Sequence, residues 1–120
     1  DQPRVMVVDA DTDLREGGAQ LLERRHVTVA TASNGEEALS LLRAGVRPKA
    51  ILLDLWMPVM DGETLCYLLH EDRELSSIPV LILSADAARA LRLTHTCAAG
   101  FLPKPVNLTA LMQTLERVAH

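Results

Sequence analysis

The chain has 120 residues, of which 48% are hydrophobic and only 2% aromatic, and its formal net charge at pH 7 is −4. This length suits one domain with an aliphatic core, and the negative charge argues against sequence-independent binding to nucleic acid phosphates. No apolar run approaches a membrane span, and residues 1–20 lack the pattern of a signal peptide. Because the chain does not begin with Met, we expect a single domain, residues 1–120, excised from a longer protein.

Apolar runs alternate strictly with helical patterns along the chain. Unbroken apolar runs, as at residues 50–53 and 80–83, are typical of strands buried on both faces of a parallel sheet. Strands are predicted at residues 4–9, 27–31, 50–54, 80–84 and 100–102, and helices at residues 13–25, 35–44, 62–71, 87–96 and from 108 onward. Short connections and right-handed crossovers then favour an α/β fold, the flavodoxin-like (βα)5 three-layer sandwich with strand order 2-1-3-4-5. Strand 5 is an edge in this order, which tolerates Pro103.

Helix starts, core and surface can also be predicted. Asn34, Asp86 and Asn107 are predicted to cap the second, fourth and fifth helices with side-chain oxygens. We expect a core that includes Leu14, Leu21, Leu22, Leu65, Leu68, Leu69, Met57, Tyr67 and Met112, and we expect the histidines His26, His70, His95 and His120 at the surface or at helix ends, without chemistry.

The two cysteines, Cys66 and Cys97, are far apart in the sequence. They lack CxxC spacing, and no histidine stands near them at metal-site spacing. This arrangement predicts free buried thiols rather than a disulfide or a zinc site, and it fits a reducing cytoplasm.

Two of the predicted strands end in an acid. Asp9 ends the first strand and Asp54 the third, after which Pro58 and Asp61-Gly62 predict a turn. Ligands collect beyond the carboxyl ends of strands in open parallel sheets, so both carboxylates are candidates for one crevice. Taken alone, Asp54 fits a loop cap equally well.

The turn after the first strand carries Asp9, Asp11 and Asp13 and has no glycine. It therefore differs from the glycine-rich loops that bind phosphates through bare backbone N–H groups. Carboxylates repel a phosphate unless a cation lies between them, so the turn predicts a hard-metal site, with Mg²⁺ as the natural candidate. Helix-dipole stabilisation of about 0.3 to 1 kcal/mol is the alternative for Asp11 and the better explanation of Asp13.

Two further polar residues follow strands. Ser84 ends the fourth strand, and Lys104 lies between two prolines beyond the fifth. Each has an ordinary explanation, since a terminal serine is usually a cap and a lysine is usually solvated. Together with Asp9 and Asp54, they make up the hydroxyl, ammonium and carboxylate groups needed to hold a phosphoryl group.

These residues belong to ordered motifs that resemble the receiver domain of bacterial two-component response regulators. The motifs span nearly the whole chain and are Val8-Asp9, Leu53-Asp54, Met57-Pro58, Asp61-Gly62, Ser84-Ala85 and Phe101-Leu102-Pro103-Lys104-Pro105. The resemblance implies that Asp54 accepts a phosphoryl group from the phosphohistidine of a histidine kinase. It also implies that Asp9, Asp54 and the Trp56 carbonyl hold Mg²⁺, and that Ser84 and Lys104 bind phosphate oxygens.

The resemblance further implies a moving part and a set of partners. Phe101 would swing inward as Ser84 moves, helix 4, strand 5 and helix 5 would carry the signal, and the Lys104-Pro105 peptide would be cis. The implied partners are a sensor histidine kinase or phosphotransfer domain, an output domain or partner protein, and a second copy of the chain in a homodimer. No nucleic acid or membrane contact is expected, and the domain would accelerate only its own phosphorylation and dephosphorylation.

Two features depart from the family pattern, and a third, Trp56, bears on the rate of dephosphorylation. Ala10 stands where a second acid is usual, so Mg²⁺ should bind weakly unless Asp11 replaces that acid. The bulky Trp56, two residues after the acceptor, predicts slow dephosphorylation through shielding from water. The segment from Ser84 to Phe101 looks short, with Cys97 where glycine is common, which predicts a shortened or loose fourth helix.

Three functions remain open. The preferred one is a phosphorylation switch, for which Asp54, Ser84 and Lys104 are all present. A pseudo-receiver, which binds proteins without being phosphorylated, is supported only by Ala10. A phosphatase with an aspartyl intermediate needs a second acid two residues after the nucleophile, and that residue is Trp56.

Overall fold

The computed structural model describes residues 2–57 and 59–118, so Pro58 and His120 lie outside the described residues. Five parallel strands form one sheet in the order β2-β1-β3-β4-β5. This order is the predicted one, and β2 and β5 are its edges. The strands are β1 (Val5–Val8), β2 (Val29–Ala32), β3 (Ala50–Asp54), β4 (Val80–Ser84) and β5 (Gly100–Pro103).

Five helices connect and cover the strands. They are α1 (Thr12–Arg24), α2 (Gly35–Arg43), α3 (Gly62–Glu71), α4 (Ala87–Thr94) and α5 (Leu108–Val118). Side-chain oxygens accept a hydrogen bond from a backbone N–H three residues later at Asp11, Asn34, Asp61, Asp86 and Asn107. The three caps predicted from the sequence are therefore confirmed. None of these helices is long and apolar enough to cross a membrane.

The sheet separates two apolar layers, because alternate strand residues point to opposite faces. Met6 and Val8 pack with side chains of α2, α3 and α4, whereas Val5 and Val7 pack with α1 and α5. β1, β3 and β4 are buried along their whole length, which is why their sequences are continuous apolar runs. The three-layer (βα)5 sandwich is thus confirmed.

The element boundaries differ from prediction near β2 and α4. His26 adopts a left-handed backbone (φ 64°) and Val27 N–H donates to the Leu22 carbonyl, so residues 26–27 close α1 and β2 begins only at Val29. α4 ends at Thr94 rather than 96, and its eight residues make it the shortest of the helices described.

Some expected core residues are exposed. Leu14, Leu21, Tyr67 and Leu68 each expose between 40% and 56% of their surface. In α1 only Ala19 and Leu22 are buried, because neighbouring α5 leaves the rest of the stripe uncovered. The predicted surface position is confirmed for His26, His70 and His95, which are all exposed.

The prediction of free thiols is wrong, because Cys66 and Cys97 form a disulfide. Cys66 lies on α3 and Cys97 in the segment between α4 and β5, with 5.8 Å between their Cα atoms. Both pack in the same apolar layer, so the fold brings together two cysteines that are 31 positions apart. Sequence spacing carries no information about such a tertiary contact.

Gly62 allows α3 to begin directly against the end of β3. Its N–H donates to the Leu55 carbonyl at 3.3 Å, and a Cβ placed on it would lie 2.9 Å from the Leu55 Cα and closer still to the Asp54 carbonyl. We expect Gly62→Ala to lower the free energy of unfolding by about 1 to 3 kcal/mol, as overpacking against rigid backbone does. Urea denaturation measures this change.

Gly17 provides the matched control for this prediction. It lies inside α1, and a Cβ there would have no neighbour within 4 Å. Gly17→Ala should therefore stabilise the chain by about 0.5 to 1 kcal/mol through helix propensity. Equal stability of Gly62→Ala and wild type would contradict the close approach.

Candidate phosphorylation site

Two buried carboxylates lie side by side at the carboxyl edge of the sheet. β1 and β3 are neighbours, with Val8 opposite Leu53, so Asp9 and Asp54 follow adjacent positions. Each residue is only 5% exposed. The sequence prediction that these acids meet in one crevice is therefore confirmed for their position, and their burial sets the electrostatics of the site.

Lys104 brings the positive charge to this pair. Its Nζ lies 3.0 Å from Asp54 Oδ1 and 3.8 Å from Asp9 Oδ2. The lysine follows β5, and the Lys104-Pro105 peptide is cis, as the resemblance implied. Two carboxylates and one ammonium give the cluster a net charge of −1 when all three are ionised. This negative charge favours the binding of a further cation.

The pKa of Asp9 is raised above its ordinary value. Burial, which removes water from the carboxylate, is the main cause, and repulsion from Asp54 and Asp11 adds to it. The Asp11 N–H, which donates to Asp9 Oδ1 at 2.9 Å, and the Lys104 charge both oppose the rise. The ionised form of Asp9 is therefore held in the site at a cost in free energy.

This raised pKa predicts a pH-dependent effect of Asp9→Asn. The folded state binds the Asp9 proton more tightly than the unfolded chain, so ionised Asp9 destabilises the fold at neutral pH. That penalty disappears as pH falls through the raised folded pKa towards the unfolded value near 3.8. With a chelator present, Asp9→Asn should raise the thermal midpoint at pH 7 and lose this advantage towards pH 4. A pH-independent difference would contradict the assignment.

Asp11 does not join the carboxylate pair. Its side chain accepts a hydrogen bond from the Leu14 N–H at 3.1 Å and caps α1, and the residue is exposed. Among residues 2–57 and 59–118, no three Asp, Glu, His or Cys side chains gather as a metal cluster. Asp9 and Asp54 are thus the only side chains of the predicted metal set that meet, and Mg²⁺ can bind through two carboxylates while keeping several waters.

Ser84 and Phe101 lie near the site, and each has contacts of its own. The Ser84 hydroxyl accepts from the Asp86 N–H at 3.0 Å and donates to the Asp86 carbonyl at 3.4 Å. In the described part of the chain, no hydrogen bond joins this hydroxyl to Asp54 or Lys104. Phe101 in β5 is half-buried opposite Ile82 of β4 and packs on the apolar layer of α4.

Trp56 stands outside the core, with 70% of its surface exposed. The Arg89 guanidinium of α4 lies over its ring, with Cζ 5.3 Å from the ring centroid, and also binds Glu63 of α3. Separately from these contacts, Arg15 of α1 donates a hydrogen bond to the Asp9 backbone carbonyl at 2.9 Å. Sequence reasoning missed Arg15, Glu63 and Arg89, because a charged residue on a helix reads the same whether it is solvated or paired across the fold.

An apolar groove runs from the site between α1 and α5. Its volume is about 860 Å³, and both Asp9 and Lys104 line its end at the sheet edge. Leu14 and Leu21 are exposed along it. Gly17 and Gly18 line its α1 side and contribute no side chains that would fill it. The site thus opens onto an exposed apolar surface.

Comparison with known proteins agrees with this geometry. Residues 5–116 match the family model described as the response regulator receiver domain. The response regulator MprA of Mycolicibacterium vanbaalenii is 35% identical over 115 residues, covering 94% of this chain and 48% of that protein. The sensor histidine kinase TmoS of Ectopseudomonas mendocina is 37% identical over 109 residues, covering 89% of this chain and 11% of that protein.

A solved structure shows the same fold. The chemotaxis protein CheY4 of Vibrio cholerae is 28% identical and has a TM-score of 0.87, with 98% of this chain and 99% of that chain covered. The chain spans about half the length of the curated response regulator that it matches and about a tenth of the kinase. The family model alone covers most of the chain, and the chain therefore belongs to the response regulator receiver domain family.

Proposed function

We propose that the chain is a phosphoacceptor switch in which Asp54 takes a phosphoryl group from a phosphohistidine. The observation that carries this proposal is the contact at 3.0 Å between Nζ of the half-buried Lys104 and Oδ1 of Asp54, which is buried beside Asp9. Phosphoryl transfer needs mainly positioning and neutralisation of charge, and this pair supplies a carboxylate acceptor and a fixed cation.

In the transfer step the phosphoryl group passes from the imidazole of the donor to Asp54, and the solvent supplies one proton. A carboxylate oxygen of Asp54 attacks phosphorus, the P–N bond breaks, and its electron pair stays on the imidazole nitrogen, which takes up a proton. Lys104 turns its ammonium towards the phosphoryl oxygens, whose charge it offsets. Mg²⁺, held by Asp9, Asp54 and the Trp56 carbonyl, would when bound supply further positive charge beside these oxygens.

Ser84 has a separate part in the proposal. Its hydroxyl would exchange the Asp86 contacts for a phosphoryl oxygen, and this movement would open space for Phe101. The face formed by α4, β5 and α5 would then change and regulate an output domain or partner protein, without contacting nucleic acid itself. The domain acts only on its own phosphoryl group and turns over no separate substrate.

The phosphodonor must bring its histidine to Asp54. We propose that a sensor kinase or phosphotransfer domain covers the groove between α1 and α5, because that groove is continuous with the site and exposes Leu14 and Leu21. We place the domain in the cytoplasm, where such donors reside. The Cys66–Cys97 disulfide is uncommon there, and alkylation of freshly purified protein should find no free thiol at either cysteine.

Incubation with acetyl phosphate and Mg²⁺ tests the proposed function. Intact mass spectrometry should show one phosphoryl group on the wild type, with far less when a chelator replaces Mg²⁺. Absence of any adduct, together with no response to beryllofluoride, would favour the second candidate, a pseudo-receiver that binds partners without phosphorylation. Ala10 and the outward-turned Asp11 are the observations that keep this candidate in view.

A further inference from the structure

Arg89 links three elements around the acceptor. Its Nε and one terminal nitrogen each lie 2.9 Å from Glu63 Oε2, and its guanidinium carbon lies 5.3 Å from the centre of the Trp56 ring. We call Trp56, Glu63 and Arg89 the tryptophan clamp. It joins the loop after β3 to the first turns of α3 and α4.

The clamp lies beyond the ends of the two strands that form the site. β3 and β4 are neighbours, with Asp54 opposite Leu83, and Trp56 follows Asp54 by two residues. α4 begins at Ala87, three residues after Ser84. Its third residue, Arg89, contacts the Trp56 ring in the loop after β3. The contact between Arg89 and the indole therefore joins the two loops that begin at Asp54 and Ser84.

Most of the Trp56 indole lies outside the core. Trp56 is 70% exposed, so few apolar contacts fix its ring. The Arg89 side chain is only 20% exposed, and the Glu63 side chain 38%. A guanidinium suits this place because one planar group can stack on an aromatic ring and donate two hydrogen bonds at its edge, which an ammonium cannot do.

We propose that Arg89 is a positioning residue that keeps the Trp56 indole across the water path, so that the clamp sets the lifetime of the aspartyl phosphate. This inference rests on the proposed function. In the hydrolysis that it slows, water attacks phosphorus, the bond between phosphorus and the Asp54 oxygen breaks, and its electrons restore the carboxylate. Inorganic phosphate leaves with the oxygen of that water.

Arg89→Gln tests the clamp, and Arg92→Gln is its matched control. Arg92 lies on the same helix, is exposed, and makes no ion pair in the part of the chain that the structure describes. Loss of a cation–π contact and its ion pair should shorten the phosphoryl half-life about two- to tenfold in Arg89→Gln, and also in Glu63→Gln to a smaller extent. Arg89→Lys should recover only part of the lifetime.

A second readout does not depend on phosphorylation. Trp56 is the only tryptophan of the chain, so its fluorescence anisotropy decay reports local rotation of this indole alone. Rotation should become faster in Arg89→Gln and stay unchanged in Arg92→Gln. Slower or unchanged rotation in Arg89→Gln would overturn the clamp, and unchanged half-lives in both Arg89→Gln and Trp56→Asn would overturn the shielding. Failure of the wild type to take up phosphoryl would instead defeat the proposed function.

Discussion

Asp54→Asn is expected to take up no phosphoryl group from acetyl phosphate and to keep the wild-type fold. The amide has the shape of the carboxylate but cannot form an acyl phosphate. Its oxygen can still accept a hydrogen bond from Lys104, which lies 3.0 Å from Asp54 Oδ1 in the wild type. Intact mass spectrometry measures the adduct, and circular dichroism with thermal melting checks the fold.

Asp13→Asn is a suitable control for this loss. Asp13 is also an acid near the carboxyl edge of the sheet, but it is exposed in the first turn of α1. This variant should be labelled like the wild type. A phosphoryl adduct on Asp54→Asn, mapped to another residue by peptide sequencing, would defeat the assignment of Asp54 as the acceptor.

Ala10→Asp is expected to bind Mg²⁺ about tenfold to a hundredfold more tightly than the wild type, if the proposed metal site is correct. The wild-type site brings together two carboxylates, those of Asp9 and Asp54, and Lys104 offsets part of their charge. Ala10 is half-buried directly after Asp9, so an acid there adds a third negative charge next to the ion. Calorimetric titration and Trp56 fluorescence both measure the change.

The α1 cap defines the control for this titration. Asp11 accepts from the Leu14 N–H, and asparagine is an equally good helix cap, so Asp11→Asn removes a charge without removing the cap. Its Mg²⁺ affinity should stay close to that of the wild type. A large loss in Asp11→Asn would make Asp11 the replacement ligand, and unchanged affinity in Ala10→Asp would refute the idea that Ala10 weakens the site.

The acceptor site was predictable because its residues follow strands. Unbroken apolar runs that end in Asp9, Asp54 and Ser84 identify strands buried on both faces. In a parallel sheet all such ends meet at one edge, so chain order alone places these side chains together. The same reasoning predicted that Lys104 reaches Asp54 from beyond β5, and their contact confirms it.

Burial along the helices was less predictable than burial along the strands. Leu21 of α1 and Leu68 of α3 fit an apolar stripe, yet both are exposed. A helix has a wide apolar face, and only the neighbouring helix decides how much of that face is covered. The groove between α1 and α5 is the result, and no pattern within α1 itself announces it.

The sequence by itself determined the strand order, three of the five helix caps and the place where Asp9, Asp54 and Lys104 meet, since these follow from local sequence patterns and the rules of parallel sheets. Only the tertiary structure decided which side chains pair across elements. The Cys66–Cys97 disulfide and the Glu63–Arg89 pair join α3 to α4 or the segment after it, across separations of 31 and 26 residues. Such contacts depend on how the helices pack above the sheet. They could not be predicted because this packing, and not the neighbouring residues in the chain, determines which partner a side chain has.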